Sequence, residues 1–170
     1  MRRPEPSEYA PYYGRYIERV PDGPIVDILR TQVRGTLELL RALPEAKGAH
    51  SYAPGKWSIK QVVGHVIDAE RVFGYRALRF GRSDATQLPG FEQGDYARAG
   101  GFAARSLRHL TEELEAVRRA TVLLYEGFGE EDWSRKGIAS ANPVTVRALA
   151  YIIAGHELHH VKILKEQYLG

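Results

Sequence analysis

The chain contains no cysteine. That excludes disulfide bonds, a cysteine nucleophile and thiolate ligation of a metal by this polypeptide. Any metal must be held by histidine and carboxylate, and any sulfur chemistry must use an external thiol. Long apolar runs are missing as well. None reaches membrane-spanning length, and Met1-Arg2-Arg3-Pro4-Glu5-Pro6 lacks the apolar stretch of a signal peptide behind it. The expected setting is the cytoplasm. Charge is not concentrated either. The 24 Lys and Arg against 21 Asp and Glu leave a net +3, and no block of about five or six like charges occurs. So dispersed a distribution does not predict a nucleic-acid interface. Alternating strand patterns of useful length, internal repeats and low-complexity segments are also missing.

What remains is helical. A chain of 170 residues with 44% hydrophobic and 26% charged residues has the proportions of one soluble domain, 1–170, able to bury a core. Residues 1–23, rich in Pro, Tyr and Arg, read as an irregular arm that packs through Tyr9, Tyr12, Tyr13 and Tyr16. The first helix is expected from Pro24 to Leu43, with Asp22-Gly23-Pro24 as its start and Pro44 as its stop. Ser58-Ile59-Lys60-Gln61 forms a capping box for a second helix running to about Phe80, where Gly81 ends it. Breakers crowd residues 82–101, a long crossover with a short helical turn at most. A third helix runs from near Arg105 to Phe128, then a connector bearing Trp133. The fourth spans about Val144 to Tyr168, opened by Asn142-Pro143. Four helices of roughly 20 residues with one long connection describe an all-α four-helix bundle.

The chemistry gathers on the fourth helix. In Gly155-His156-Glu157-Leu158-His159-His160, His156 and His160 stand four residues apart, one turn along the same face. With about 100° per residue, His160 falls roughly 40° from His156, amid Leu149, Ile152, Ile153 and Ile163. Polar groups in an apolar stripe need a partner, and one shared divalent cation satisfies two imidazoles. His159 falls at the stripe's edge and reads as a rim residue. His65, in Gly64-His65-Val66-Ile67-Asp68-Ala69-Glu70, lies about 80° from the centre of the second helix's apolar stripe. That edge suits either a third ligand at the mouth of the bundle or a plain boundary histidine.

Two carboxylates stand near His65. Asp68 is placed to orient it, and Glu70 falls on the other flank of the stripe, where it can face the interior. Either could act as a base, or simply pair with arginines such as Arg71 or Arg76. Trp57 reads as a hydrophobic staple, and His50 and His109 as surface residues. A glycine precedes both His65 and His156, which suggests close packing at each. On the opposite face of the fourth helix, Tyr151, Ala154, Leu158 and Val161 form a second apolar strip that predicts a homodimer, unless the arm covers it.

The segment Lys56-Trp57-Ser58-Ile59-Lys60-Gln61-Val62-Val63-Gly64-His65-Val66-Ile67-Asp68-Ala69-Glu70-Arg71, then Leu88-Pro89-Gly90-Phe91, then Gly155 to His160, resembles the DinB-like superfamily in its ordered combination. The resemblance implies a four-helix bundle with one divalent metal held by three histidines, which map to His65, His156 and His160. It also implies chemistry with a low-molecular-weight thiol, as in bacillithiol S-transferases and mycothiol-dependent maleylpyruvate isomerase. The expected function is metal-dependent thiol S-transfer to small electrophiles in stress or detoxification, with zinc or nickel as the metal and Asp68 or Glu70 as catalytic residues. Metal-dependent hydrolysis and a non-enzymatic, metal-containing binding protein stand as alternatives.

Overall fold

In a computed structural model describing residues 2–170, the helices start and stop close to where capping chemistry puts them. The order is α1 (Gly14–Ile17), α2 (Ile25–Arg41), α3 (Ile59–Gly81), α4 (Gln93–Ala99), α5 (Leu107–Glu126), β1 (Lys136–Ala139), β2 (Asn142–Thr145) and α6 (Val146–Ile163). At the start of α3 the capping box closes. Ser58 Oγ accepts from the Gln61 amide at 3.3 Å, and Gln61 Oε1 accepts from the Ser58 amide at 2.9 Å. Ser106 caps α5 and Thr145 caps α6 in the same way, each accepting from the amide three residues on. The four long helices form a closed ring, α2 and α3 each packing against both α5 and α6. The crossover between α3 and α5 carries α4, which lies on α3.

Among the described residues, the connector after α5 departs from an all-helical reading by forming a hairpin. β1 and β2 pair antiparallel with Ala139 opposite Asn142. Ser140 and Ala141 turn the corner, both in the left-handed region at φ 52° and 63°. Strands of four residues containing Gly137 and Pro143 carry too little alternation to be read from sequence. Asn142-Pro143 therefore belongs to β2, and α6 opens at Thr145 instead. The tip also pairs with the crossover, since the Leu88 amide donates to Ile138 O at 2.9 Å.

The arm packs through Tyr16, with Tyr9 and Tyr13 half-buried and Tyr12 exposed, and is more ordered than irregular. Two 3₁₀ turns lead into α1, whose Tyr16 and Ile17 are buried. Arg3 ties it down by donating to Ile17 O at 2.6 Å and Val20 O at 2.7 Å. The arm crosses α6 at Gly155, where a side chain would collide with the Tyr16 carbonyl. Tyr151 and Ala154 are consequently buried within the chain itself, with the Arg3 guanidinium over the Tyr151 ring. This removes half of the strip that suggested a homodimer, leaving only Leu158 and Val161 partly exposed. No helix among the described residues is long and apolar enough to cross a membrane.

A polar layer divides the core. On one side lie Leu29, Ala69, Phe73, Val122 and Ala154 with their neighbours. On the other lie Val33, Val66, Ile67, Leu114 and Leu164. Between them Arg118 of α5, 1% exposed, donates to both carboxylate oxygens of Glu70 on α3 at 2.8 and 2.9 Å. It also donates to Glu157 of α6 at 2.8 Å and to Leu29 O of α2 at 3.1 Å. Thr36 and Gln32 of α2 donate to Glu157 as well, each at 2.5 Å. All four bundle helices are thus fastened to one guanidinium.

Candidate metal centre

Helix geometry brings the three histidines together. His156 and His160 share a face of α6, and the α3–α6 contact carries His65 onto the same point. His65 Nε2 lies 3.0 Å from His156 Nε2, and His160 Nε2 lies 3.2 Å from that same atom. One ligand nitrogen from each falls within 4.8 Å of the others, and no carboxylate of the described residues joins them. His65 is buried more deeply than its edge position implies. Trp57 closes on its ring at 5.0 Å, and Phe102, from the crossover, occupies the space beside Gly64.

Burial also sets the charge state. It lowers His65 to about 4. His160 falls to about 3, by burial first and then by the neighbouring imidazoles His65 and His159. His156 is pushed down for the same reasons, burial foremost. All three are therefore neutral at physiological pH, the form that ligates metal. A neutral imidazole nitrogen either donates or accepts one hydrogen bond. His156 Nε2 faces two other Nε2 atoms and can satisfy only one of them. A shared cation removes that conflict. Nitrogens held at about 2.0–2.1 Å around a tetrahedral dication stand roughly 3.3 Å apart, close to the 3.0 and 3.2 Å that separate His156 Nε2 from its two neighbours. The donor set therefore fits a divalent metal, with all three nitrogens supplied by this chain.

The two carboxylates of α3 stand apart from the three histidines. Glu70 is buried, as its helical phase allows, and of its two expected roles it takes the pairing with an arginine, both its oxygens accepting from Arg118 rather than facing the histidines. Asp68 stays partly exposed, 3.9 Å from Arg71, and makes no hydrogen bond to His65. Burial raises its carboxyl. Arg71 pairs chiefly with Glu113, at 2.5 Å. Arg76 pairs with neither Asp68 nor Glu70. Trp57 staples the start of α3, its carbonyl accepting from Tyr168 Oη at 2.7 Å. His159 stays outside the cluster against Tyr16, and His50 and His109 are exposed.

Two cavities reach the centre. His65 and His156 line one of about 420 Å³, walled by Tyr12, Tyr13, Tyr16, Phe73 and Phe91. His160 lines a separate one of about 220 Å³ with Tyr52, Lys56, Trp57 and Tyr168. Tyr16 stands edge-on to His156 at 5.3 Å, and burial holds its hydroxyl up at about 12, so it stays protonated. Sequence reasoning found the arm's tyrosines as packing residues but not as cavity walls. It also passed over Arg118, although a lone arginine in the stripe Leu110, Leu114, Val122, Tyr125 was the visible signal.

The comparisons agree with this architecture. YfiT from Bacillus subtilis, described as a probable metal-dependent hydrolase with an unusual four-helix bundle topology, matches with a TM-score of 0.73 at 15% identity. The match covers 94% of this chain and 91% of that one. The DinB-like protein YjoA from Bacillus subtilis matches with a TM-score of 0.62 at 20% identity, over 85% and 89%. The mycothiol-dependent maleylpyruvate isomerase matches at 0.65 and 14% identity over 82% of this chain, which spans 60% of that protein. No curated protein sequence matches the chain. The model of the DinB superfamily matches residues 28–164. With that span on top of the shared bundle, the chain belongs to the DinB superfamily.

Proposed function

We propose that this protein is a metal-dependent enzyme that transfers the sulfur of a low-molecular-weight thiol to a small electrophile, in cytoplasmic stress or detoxification chemistry. One observation carries the reading: three neutral imidazole nitrogens converge, with no carboxylate of the described residues among them, and two separate cavities are lined by members of that cluster. His65, His156 and His160 are the proposed ligands, and zinc and nickel both suit three imidazoles. A dication bound there supplies the positive charge that keeps a thiol ionised at neutral pH.

The chain's own residues do the rest. Two cavities at one centre suit two substrates, a thiol and an electrophile. Tyr12, Tyr13, Phe73 and Phe91 exclude water and offer aromatic faces to an apolar substrate. Tyr16, protonated and at the wall of the larger cavity, can donate a hydrogen bond to a ligand there. With Glu70 committed to Arg118, the other carboxylate on α3 is Asp68, which makes no bond to the cluster, while Glu92 lines the larger cavity together with His65 and His156.

The test is a chlorinated dinitrobenzene offered to zinc- or nickel-loaded protein with and without bacillithiol or mycothiol, beside a nitrophenyl ester. Thiol-dependent product that disappears in His156→Ala supports the proposal. Ester turnover without thiol would make the protein a hydrolase, the description carried by YfiT. Silence on both substrates at full metal loading would make it a binding protein.

A further inference from the structure

Ser140 is held more firmly than the tip of a hairpin requires. It stands in the left-handed region at φ 52°, which costs a residue with a side chain energy and persists only where the surroundings fix it. Here they do. Its amide donates to Leu88 O at 3.1 Å, and its carbonyl accepts from Asn142 Nδ2 at 2.7 Å. Its hydroxyl oxygen accepts from Nη2 of Arg76 at 3.0 Å, and the same nitrogen donates to Pro89 O at 3.0 Å. Arg76 is itself buried, so the hydroxyl is pinned from inside the protein.

Only the Oγ–H of Ser140 is left over. A serine hydroxyl has one proton to donate and two lone pairs with which to accept, and no acceptor for that proton lies within hydrogen-bond distance among the described residues. A guanidinium on the oxygen polarises the O–H bond and strengthens it as a donor. Ser140 lines the larger cavity together with Phe73, Phe91, His65 and His156. Gly90 keeps the approach open, since a side chain there would stand 3.4 Å from Ser140 Oγ. Arg76 does not line the cavity and acts on it through this hydroxyl alone. The one ionised side chain of the lining is Glu92, which disfavours a carboxylate as the group that meets Ser140.

We propose that Ser140 donates a hydrogen bond to the ligand of this cavity, and that the ligand is a flat, apolar molecule bearing an uncharged oxygen acceptor, a carbonyl or a nitro group. The aromatic walls take its body. This rests on the reading of the cavity as the substrate site, and it adds the chemical class of the electrophile and its orientation. Ser140 bonds to Arg76, which follows His65 by 11 residues, about three turns along α3. The acceptor is therefore held away from the histidines, and Ser140 acts as a positioning residue.

The probes are acetophenone and α-methylstyrene, which differ only in exchanging the carbonyl oxygen for a methylene group. Each is titrated by NMR into wild type, Ser140→Ala and Ser140→Gly, chelated and zinc-loaded. Loss of one hydrogen bond should weaken acetophenone about two- to tenfold in chelated Ser140→Ala and leave α-methylstyrene unchanged. Ser140→Gly, suited to the left-handed backbone, should lose the same discrimination, so the test does not depend on the alanine variant folding. The infrared carbonyl stretch of acetophenone should move to lower frequency on binding wild type, and less so in either variant. Benzoate, of similar shape, should bind chelated wild type no more tightly than acetophenone does. An equal effect of the substitutions on both probes overturns the proposal, as does a carbonyl stretch unmoved in wild type or fully shifted without the hydroxyl, or tighter binding of benzoate. A preference confined to zinc-loaded protein that survives Ser140→Ala also overturns it, since the oxygen would then sit on the metal. Failure of both probes to bind at millimolar concentration overturns it together with the reading of the cavity as a substrate site. Discrimination that depends on Ser140 in chelated protein supports the donor even if zinc proves not to bind.

Discussion

Replacing Arg118 by Met keeps much of the side-chain volume and removes the charge that holds the polar layer together. Glu70 then loses both of its donors, while Glu157 keeps Thr36 and Gln32. Two buried carboxylates remain with no cation between them. In wild type burial works against the charge of Arg118, and Glu70 and Glu157 more than offset it, so the net effect holds the guanidinium charged. Breaking such a pair by removing one partner costs about 3–5 kcal/mol. For a chain of this size that is a fall in Tm of roughly 10–15 °C. The sign of the pH effect follows. Burying carboxylates with no cation beside them favours their protonated form above the ordinary carboxylate range. The folded state then binds the extra proton in that window, so stability falls as pH rises through it. The penalty should therefore be smaller at pH 5 than at pH 8. Denaturant unfolding of chelated wild type and Arg118→Met at both values measures it. Adding Glu70→Gln and Glu157→Gln should recover most of the loss, because neutral groups no longer need the cation. A penalty below about 1 kcal/mol, or one equal at the two pH values, would refute the reasoning.

Gly155→Ala should cost about 1–3 kcal/mol or more, since the new methyl meets the Tyr16 backbone, which cannot rotate away; thermal melts measure this, and tyrosine fluorescence should report the arm's displacement. The chelated protein should keep its helical circular dichroism at neutral pH, because the bundle has a sizeable core of its own; a random-coil spectrum would contradict this. His65 and His160 titrate at about 4 and about 3 in the fold, against about 6.5 when unfolded. Stability of the chelated protein should therefore hold above about pH 6.5 and fall progressively below it, as the unfolded chain takes up the protons first.

Much of the fold was legible because its signals are local. The Ser58 capping box and Gly81 bracket α3 to within a residue, and the stripe Ile25, Leu29, Val33, Leu37, Leu40 marks the buried face of α2. The hairpin was not legible, since four-residue strands bearing Gly137 and Pro143 leave no periodicity to detect. At the centre, His156 and His160 could be paired from spacing alone. The depth of His65 could not, because it depends on Trp57 and on Phe102, which a long crossover delivers. Glu70 had the right phase for the interior, but its partner lies 48 residues away on another helix. Helical phase says which way a side chain faces and nothing about what it meets. Arg76 shows the same limit: its sequence neighbours suggest a surface partner for acidic residues, yet folding buries it against Pro89 O and Ser140 Oγ.

The central claim is that His65, His156 and His160 hold one divalent metal ion. Elemental analysis of purified protein after dialysis against zinc or nickel tests it most directly, run on wild type and on the single alanine variants. The account predicts one ion per chain in wild type and in His159→Ala, and none in His156→Ala, His160→Ala or His65→Ala. Wild type without stoichiometric metal, or a site emptied by His159→Ala and kept by His160→Ala, would contradict it.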